Sequence, residues 1–436
     1  MIAPVGSGKS DVVAYCGLSL LRCFADSGIA VTVVDSDAES LTLHSRYASK
    51  TQMIACPRLQ PEQAVADLIA LGKQFATRPM LTFDNEPMLL LVSRNRQALS
   101  PYYRFLLPDN ELVEDLTCKL RFASLAERLD LPVPRSMTPA KDTTVEEIAL
   151  RMGLPCVLKP NSHTGRYRTE VERERRFVYK VLQADSLEDL RKQYAKMRQY
   201  CDSFLAQEYV PGDDTTLYSV HAYLDGNGNS LGCFVGRKIR TCPKGCGGST
   251  YLELVHHPEL AQLGMKLLRQ MNAVGPMKID FKRDTRHNRW LILECNARFT
   301  LWNYLGAASG MNLPKVALAD LYERPAAPAT TYRTNVRWLA LGNDFRAFLH
   351  EYRPDGDWTW ARWLWSLRFR KVHEVFSWSD PKPAIICTAR FLWLNVLKIK
   401  RRLIGKGRRP SAPMHPDTAA DRATPAGAAL PGHNPL

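Results

Sequence analysis

Between Lys278 and Arg298 the chain reads KIDFKRDTRHNRWLILECNAR, which gathers acids, an amide and cations into one short stretch. KIDF and WLILE are rich in β-forming residues, and the polar DTRHNR between them suits a hairpin loop. Alternation puts Lys278 and Asp280 on one strand face, and separates Leu291, Leu293 and Cys295 from Ile292, Glu294 and Asn296. Pairing the strands then brings the Asp280 and Glu294 carboxylates together with Asn296 beside them. Two carboxylates and an amide oxygen flanked by cations suit hard Mg²⁺ ions carrying a nucleoside triphosphate. The bland alternative is a solvated hairpin face with incidental charges.

Further candidates lie upstream. In PCVLKP, Lys159 ends an apolar strand, where a lysine either has a partner or snorkels to water. In QEYVPG, Glu208, Tyr209 and Val210 form an extended segment before Pro211, with backbone groups available to a flat base edge. GCFVGRKIR carries Arg237, Lys238 and Arg240 on a strand, and the glycine-rich TCPKGCGGST after it reads as a mobile loop suited to covering a phosphate. Lys119 stands near the start of a helix, and Lys180 lies in the strand-like FVYKVLQA. The opening GSGKS lacks a glycine where Ala3 stands and a full strand before it, so an ordinary strand-to-helix turn is expected over a phosphate loop. Cys242, Cys246, His256 and His257 fit no common zinc spacing, and no zinc is expected.

The elements that must position these residues follow from patterning. Residues 1 to about 110 alternate apolar strand-like runs (IAVTVVDSD, MLTFDNE) with helical ones (AYCGLSLLRCFADSG), which implies a parallel sheet with helices on its faces. Ligands usually sit at the loops after such strands. SLEDLRKQYAKMRQY reads as a helix capped by Ser186, and HPELAQLGMKLLRQMNAVG as an amphipathic helix leading into the hairpin. From about Pro325 a linker precedes a Trp-rich, basic end. Its tryptophans are expected to cover the core, with an amphipathic element on an anionic membrane as the alternative.

At 436 residues, several domains or lobes are expected, and 45% hydrophobic with 24% charged residues is ordinary for a globular protein. A net charge of +15 favours anionic partners, although much of it sits between Lys398 and Arg409. Eleven cysteines without a paired framework predict a reduced, cytoplasmic setting. No long uncharged apolar run predicts a spanning helix, and no reading motif for nucleic acid is present.

The order of these features — strand lysine, extended Glu-Tyr-Val, cationic strand with glycine-rich loop, acid, acid-x-Asn — resembles the ATP-grasp superfamily over roughly residues 1–325. LTFDNEPMLLLVSRNRQALSPYYRFLLPDNELVEDLTCKLRFASLAERLDLPVPRS and GRKIRTCPKGCGGST resemble predicted carboxylate–amine ligases near D-aspartate ligase, with biotin carboxylase and carbamoyl-phosphate synthase more distant. The resemblance implies an α/β and α+β chain: a Rossmann-like pre-ATP-grasp domain (1–111), then the small lobe (112–205) and large lobe (206–325) of an ATP-grasp fold. A Trp-rich basic extension (326–409) and a disordered tail (410–436) complete the expected organisation.

Carried across by position, the resemblance implies that Lys159, Lys119 and Lys180 contact the ATP phosphates. Glu208, Tyr209 and Val210 would read adenine, and Asp213 the ribose. Asp280, Glu294 and Asn296 would hold two Mg²⁺ ions, with Mn²⁺ as a substitute. Lys278 and Arg298 would face the γ-phosphate and an acyl-phosphate, and Arg237 and Lys238 a phosphate or substrate carboxylate. HTGRYRTEVERERR, where relatives have a compact glycine-rich loop, departs from the pattern. The implied activity is amide formation from a small-molecule carboxylate and an amine, with ADP and phosphate released. Other ATP-grasp chemistry (bicarbonate-dependent carboxylation or kinase-like transfer) and an ATP-binding, membrane-associated protein without turnover are the competing expectations. A homodimer and peripheral contact at the inner membrane face are carried with them.

Overall fold

The computed structural model describes residues 11–25, 28–161, 181–201, 203–324 and 331–405. GSGKS, Lys180, HTGRYRTEVERERR and the 410–436 tail lie outside the described residues. Three sheets carry the fold. The first is parallel, in the order β3 (Lys50–Met53), β2 (Val31–Asp35), β1 (Val12–Tyr15), β4 (Met80–Phe83). Its central strands are short, buried and rich in valine, as strands covered on both faces must be. The helix expected over AYCGLSLLRCFADSG begins later than the pattern implied. Ala14 and Tyr15 belong to β1, pairing with Thr82 and Phe83, and the helix spans only Leu18–Leu21 before a 3₁₀ turn. Ladder hydrogen bonds to β4 outweigh the helical period there.

The second sheet, ordered β5 (Ser136–Met137), β8 (Phe204–Glu208), β6 (Cys156–Pro160), β7 (Leu182–Ala184), has its own core of Ile148, Leu158, Leu190 and Phe204. Helices Val145–Met152 and Leu187–Tyr200 supply part of it, each begun by a hydroxyl cap. The Thr144 Oγ1 accepts from the Glu147 N–H at 3.1 Å, and the expected Ser186 cap accepts from the Asp189 N–H at 3.1 Å. Leu112, Val113, Leu125 and Ala126 of the preceding helices pack elsewhere, in the core shared by the first and third sheets.

The third sheet has seven strands, in the order β13 (Arg289–Asn296), β12 (Gly275–Asp284), β9 (Leu217–Leu224), β10 (Ser230–Cys242), β11 (Gly248–Val255), β14 (Val336–Leu339), β15 (Arg370–His373). Helix Pro258–Gln270 buries Leu260, Leu267 and Leu268 in one core with Val220, Val235 and Ile279. Helices Trp302–Ala308 and Leu313–Leu321 bury Trp302, Leu305 and Leu318 with Tyr223, Phe234 and Leu252 in another. At Gly236 a Cβ would collide with the Trp302 ring, so the sheet and this helix approach as closely as glycine permits.

The boundary expected at residue 325 does not divide this sheet: β14 pairs with β11 (Tyr251 opposite Leu339), and β15 runs parallel to β14. A buried ion pair fastens the junction. Arg240 donates from Nε and Nη2 to the two Asp344 oxygens at 2.8 and 2.9 Å. Asp344 also accepts from Thr250 Oγ1 and Trp363 Nε1, both at 2.9 Å, so the buried charge is fully bonded. Of the tryptophans expected to cover the core, Trp338 and Trp363 are buried, while Trp360, Trp365, Trp378 and Trp393 are exposed. Residues Met1–Cys387 form one compact unit and Thr388–Leu436 a second, and helix Lys382–Gly405 runs across the division. Among the described residues no helix is long and apolar enough to cross a membrane.

Candidate functional site

The β12–β13 hairpin sets Asp280 opposite Glu294 and Lys278 opposite Asn296, the register that alternation predicts. A bulge between Asp280 and Phe281 shifts the pairing beyond the acids, which the pattern did not foretell. On the other side β9 sets Ser219 opposite Asp280 and His221 opposite Lys278. Asp280 accepts from Lys278 Nζ at 2.6 Å and from the Ser219 hydroxyl. Burial alone would raise the Asp280 carboxyl, but Lys278 and Lys238 outweigh it and hold the group at about 2. It is therefore an anion at neutral pH. Glu294 is exposed and accepts from Asn296 Nδ2 at 3.1 Å, while Asn296 itself is buried.

Cations gather about this pair from four elements. Lys159, at the end of β6, donates to Gln207 Oε1 at 2.5 Å. Burial, the nearby Lys119 charge and Lys282 pull Lys159 down to about 8 against the opposing field of Glu294. Lys119 opens helix Lys119–Arg128. Lys238, on β10, is lowered by burial and feels Asp280, Lys278, Glu294 and Asp214. Lys282, two residues beyond Asp280, is likewise lowered by burial, and Asp214 and Asp213 oppose that shift. Such an array of partly desolvated lysines stabilises spread negative charge far better than the same groups in water.

The other expected residues are placed differently. Arg237 points to the opposite sheet face from Lys238, where its Nε donates to Glu253 Oε1 at 2.7 Å and its guanidinium lies over Tyr218. Adjacent strand residues cannot share a face, so the structure brings only Lys238 to the cluster. Glu208 turns its carboxylate toward the Arg135 Nε at 2.9 Å rather than into solvent. The Tyr209 carbonyl accepts from Arg286 Nη2 at 3.4 Å, Lys282 lies over the Tyr209 ring, and Val210 is buried. Asp213 caps the 3₁₀ turn Asp214–Thr216, accepting from the Thr215 N–H at 2.9 Å. Arg298 donates from Nη1 to the Asp84 carbonyl at 2.8 Å, which joins the end of the hairpin to the end of β4.

The glycine-rich loop, expected to be mobile, is a short connection between paired strands, since Cys242 lies opposite Gly248. Its anchor is Asp214, a residue the sequence reading passed over. Asp214 is buried and accepts from Thr241 Oγ1 at 2.8 Å, from the Gly245 N–H at 3.2 Å and from the Tyr352 hydroxyl. Lys244 pairs with Asp355 at 2.5 Å and with Asp357, and its N–H donates to Glu351. Ser219 and Lys282 were also missed. Lys282 was visible in the alternation Lys278, Asp280, Lys282, whereas Ser219 and Asp214 carry no local signal. Cys242 and Cys246 lie on this loop and strand end, while His257 caps helix Pro258–Gln270 and His256 packs on Tyr332.

The donor set suits a hard divalent cation: a carboxylate kept ionised, a second exposed carboxylate and an amide. Among the described residues no three His, Cys, Asp or Glu side chains gather as a cluster for a metal. An ion at the hairpin would therefore draw on Asn296 and on oxygens that a ligand brings.

Residues 201–341 match the family described as "ATP-grasp in the biosynthetic pathway with Ter operon". The chain is 24% identical over 276 residues to the D-aspartate ligase of Enterococcus faecium (strain Aus0004), an alignment covering 61% of this chain and 65% of that protein. It thus spans just under two thirds of that relative's length. Among solved structures it is similar to the L-amino acid ligase from Bacillus licheniformis, with a TM-score of 0.55 and 14% identity over 76% of this chain and 79% of that one. Biotin carboxylase from Campylobacter jejuni gives a TM-score of 0.57 and 15% identity over 75% and 74%. These structural likenesses describe the fold.

Proposed function

We propose that this chain, which carries an ATP-grasp domain, is an ATP-dependent carboxylate–amine ligase. The observation that carries the reading is the register of Asp280 against Glu294, with Asn296 beside them and Lys159, Lys238, Lys278 and Lys282 bearing on the same point. Asp280, Glu294 and Asn296 would hold Mg²⁺, which when bound neutralises charge on the β- and γ-phosphates. Lys159 and Lys119 are suited to the phosphates from the small-lobe side, and Lys238 and Lys278 from the large sheet. Tyr209 and Val210, directly after β8, are suited to the base. Lys180 is proposed as a second phosphate contact.

In the proposed reaction a substrate carboxylate oxygen attacks the γ-phosphorus, and the bond from that phosphorus to the ADP oxygen breaks. The resulting acyl-phosphate is attacked by an amine, phosphate leaves, and the amine's proton passes to solvent. Such transfer needs positioning and charge neutralisation more than a protein nucleophile, which is what a lysine array supplies. Arg298, whose Nη1 donates to the Asp84 carbonyl, is proposed to orient the acyl group, since open α/β sheets commonly bind ligands at the ends of their strands. The similarity to D-aspartate ligase supports amide formation over other uses of the fold.

The test is the product mass from ATP, Mg²⁺ and a mixed pool of amino acids and amines. The reading predicts ADP together with a condensed product lighter by one water than its two parts. ADP formation that requires bicarbonate and yields no amide would refute it.

A further inference from the structure

Outside the cluster of lysines and acids, the chain carries a second cationic concavity. A groove of about 640 Å³ is lined by His44, Arg46, Lys50 and Lys382, together with Ser45 and Thr51. Its one acid, Asp380, is already matched: the carboxylate accepts from Ser45 Oγ at 2.7 Å, the Arg46 N–H at 3.0 Å and Arg22 Nη2 at 3.3 Å. The groove therefore presents net positive charge, and His44 Nε2 is buried there without a hydrogen-bond partner.

An exposed apolar surface adjoins it in the chain. Trp378, two residues before Asp380, is 89% exposed, an extreme value for the largest hydrophobic side chain. Lys382 begins the helix Lys382–Gly405, and Ile385 on its first turn is exposed. Farther along, the same helix exposes Phe391, Leu392 and Trp393. Its sequence holds Lys382, Arg390, Lys398, Lys400, Arg401 and Arg402 and no acid.

We propose that Trp378, Ile385 and this groove dock the protein peripherally on an anionic lipid bilayer. Trp378 and Ile385 enter the headgroup boundary, and the groove receives lipid phosphate. The charge decides among occupants. A second copy would bring acid-free cationic helices together, which like-charge repulsion opposes. A nucleic acid would satisfy the cations but leave Trp378 and Ile385 without a use. An anionic bilayer matches both features. The helix is too short of apolar length to span, so the contact is a surface one.

The experiment pellets full-length protein with vesicles of phosphatidylcholine alone or mixed with phosphatidylglycerol, and follows tryptophan emission. The expected result is pelleting only with phosphatidylglycerol, a blue-shifted emission, and release by salt. Lys50→Gln/Lys382→Gln should weaken binding about tenfold, and Trp378→Ala should weaken it and reduce the blue shift. Both variants should keep the parent melting temperature. If the double variant melts early, Ile385→Ser serves as the second probe and should also release the protein. Absence of pelleting, or equal pelleting with neutral vesicles, overturns the proposal. So does a dimer by light scattering that the same substitutions abolish, or tight binding of single-stranded nucleic acid that excludes vesicles. Each of these outcomes leaves the ligase reading unaffected.

Discussion

Lys159 concentrates the residue-scale physics of the site. Burial and the neighbouring Lys119 lower it to about 8 in the free protein. A bound triphosphate would favour its charged form, so nucleotide binding above pH 8 should take up a proton. Affinity for ATP should then fall as pH rises from about 8 toward the ordinary 10.5. Calorimetric titrations in buffers of different ionisation enthalpy measure that uptake; identical apparent enthalpies would contradict it. The stability sign is opposite. Between about 8 and 10.5 the unfolded chain holds a proton that the folded one has lost, so this lysine's contribution to stability rises with pH over that window. Much at this scale was legible in the sequence. Period-2 alternation gave Asp280 facing Glu294, and applied to Arg237 and Lys238 it would have chosen one of them. Asp214 was not legible, because its role is set by Tyr352, which lies 138 residues away in the chain.

At the scale of elements, the glycine-rich connection between β10 and β11 is a braced loop. Glycine content alone suggests mobility, but the bracing comes from Asp214, Glu351, Tyr352 and Asp355, which no local pattern ties to it. The Tyr352 hydroxyl accepts from the Thr241 N–H at 2.7 Å and donates to Asp214. Tyr352→Phe leaves both groups buried and short of a partner, and should cost about 1–3 kcal/mol. If the loop covers phosphate, the same change should raise the KM for ATP severalfold with a smaller effect on kcat, which initial-rate kinetics would measure. Faster cleavage of the loop by a protease in limited digestion would accompany it.

For the whole molecule, the third sheet overrides the linear division into domains. Strands β14 and β15 come from sequence that reads as an extension, yet they complete the sheet that bears the hairpin. Short strands after a Pro-rich stretch carry little local signal, so this joining was not legible, whereas the parallel sheet and the lobe helices were. The buried Arg240–Asp344 pair makes the junction testable. Arg240→Met, which leaves the carboxylate buried without its counter-ion, should destabilise by about 3–5 kcal/mol, and Arg240→Met/Asp344→Leu should recover much of that loss. Denaturant titration of the two variants reads the difference; equal destabilisation would mean that the pair is not what fastens the junction.

The central claim is that the Asp280–Glu294 register builds an ATP-activating site. Its most direct test is ADP release by Asp280→Asn/Glu294→Gln beside the parent protein, with Mg²⁺ and the acceptor pool present. The substitutions keep shape, but Asp280→Asn leaves Lys278 without its buried counter-ion, so some stability should be lost and folding is checked by a cooperative melt. The account predicts loss of turnover on the order of 10²-fold or more in a variant that still unfolds cooperatively. Unchanged ADP release by a folded double variant would contradict it.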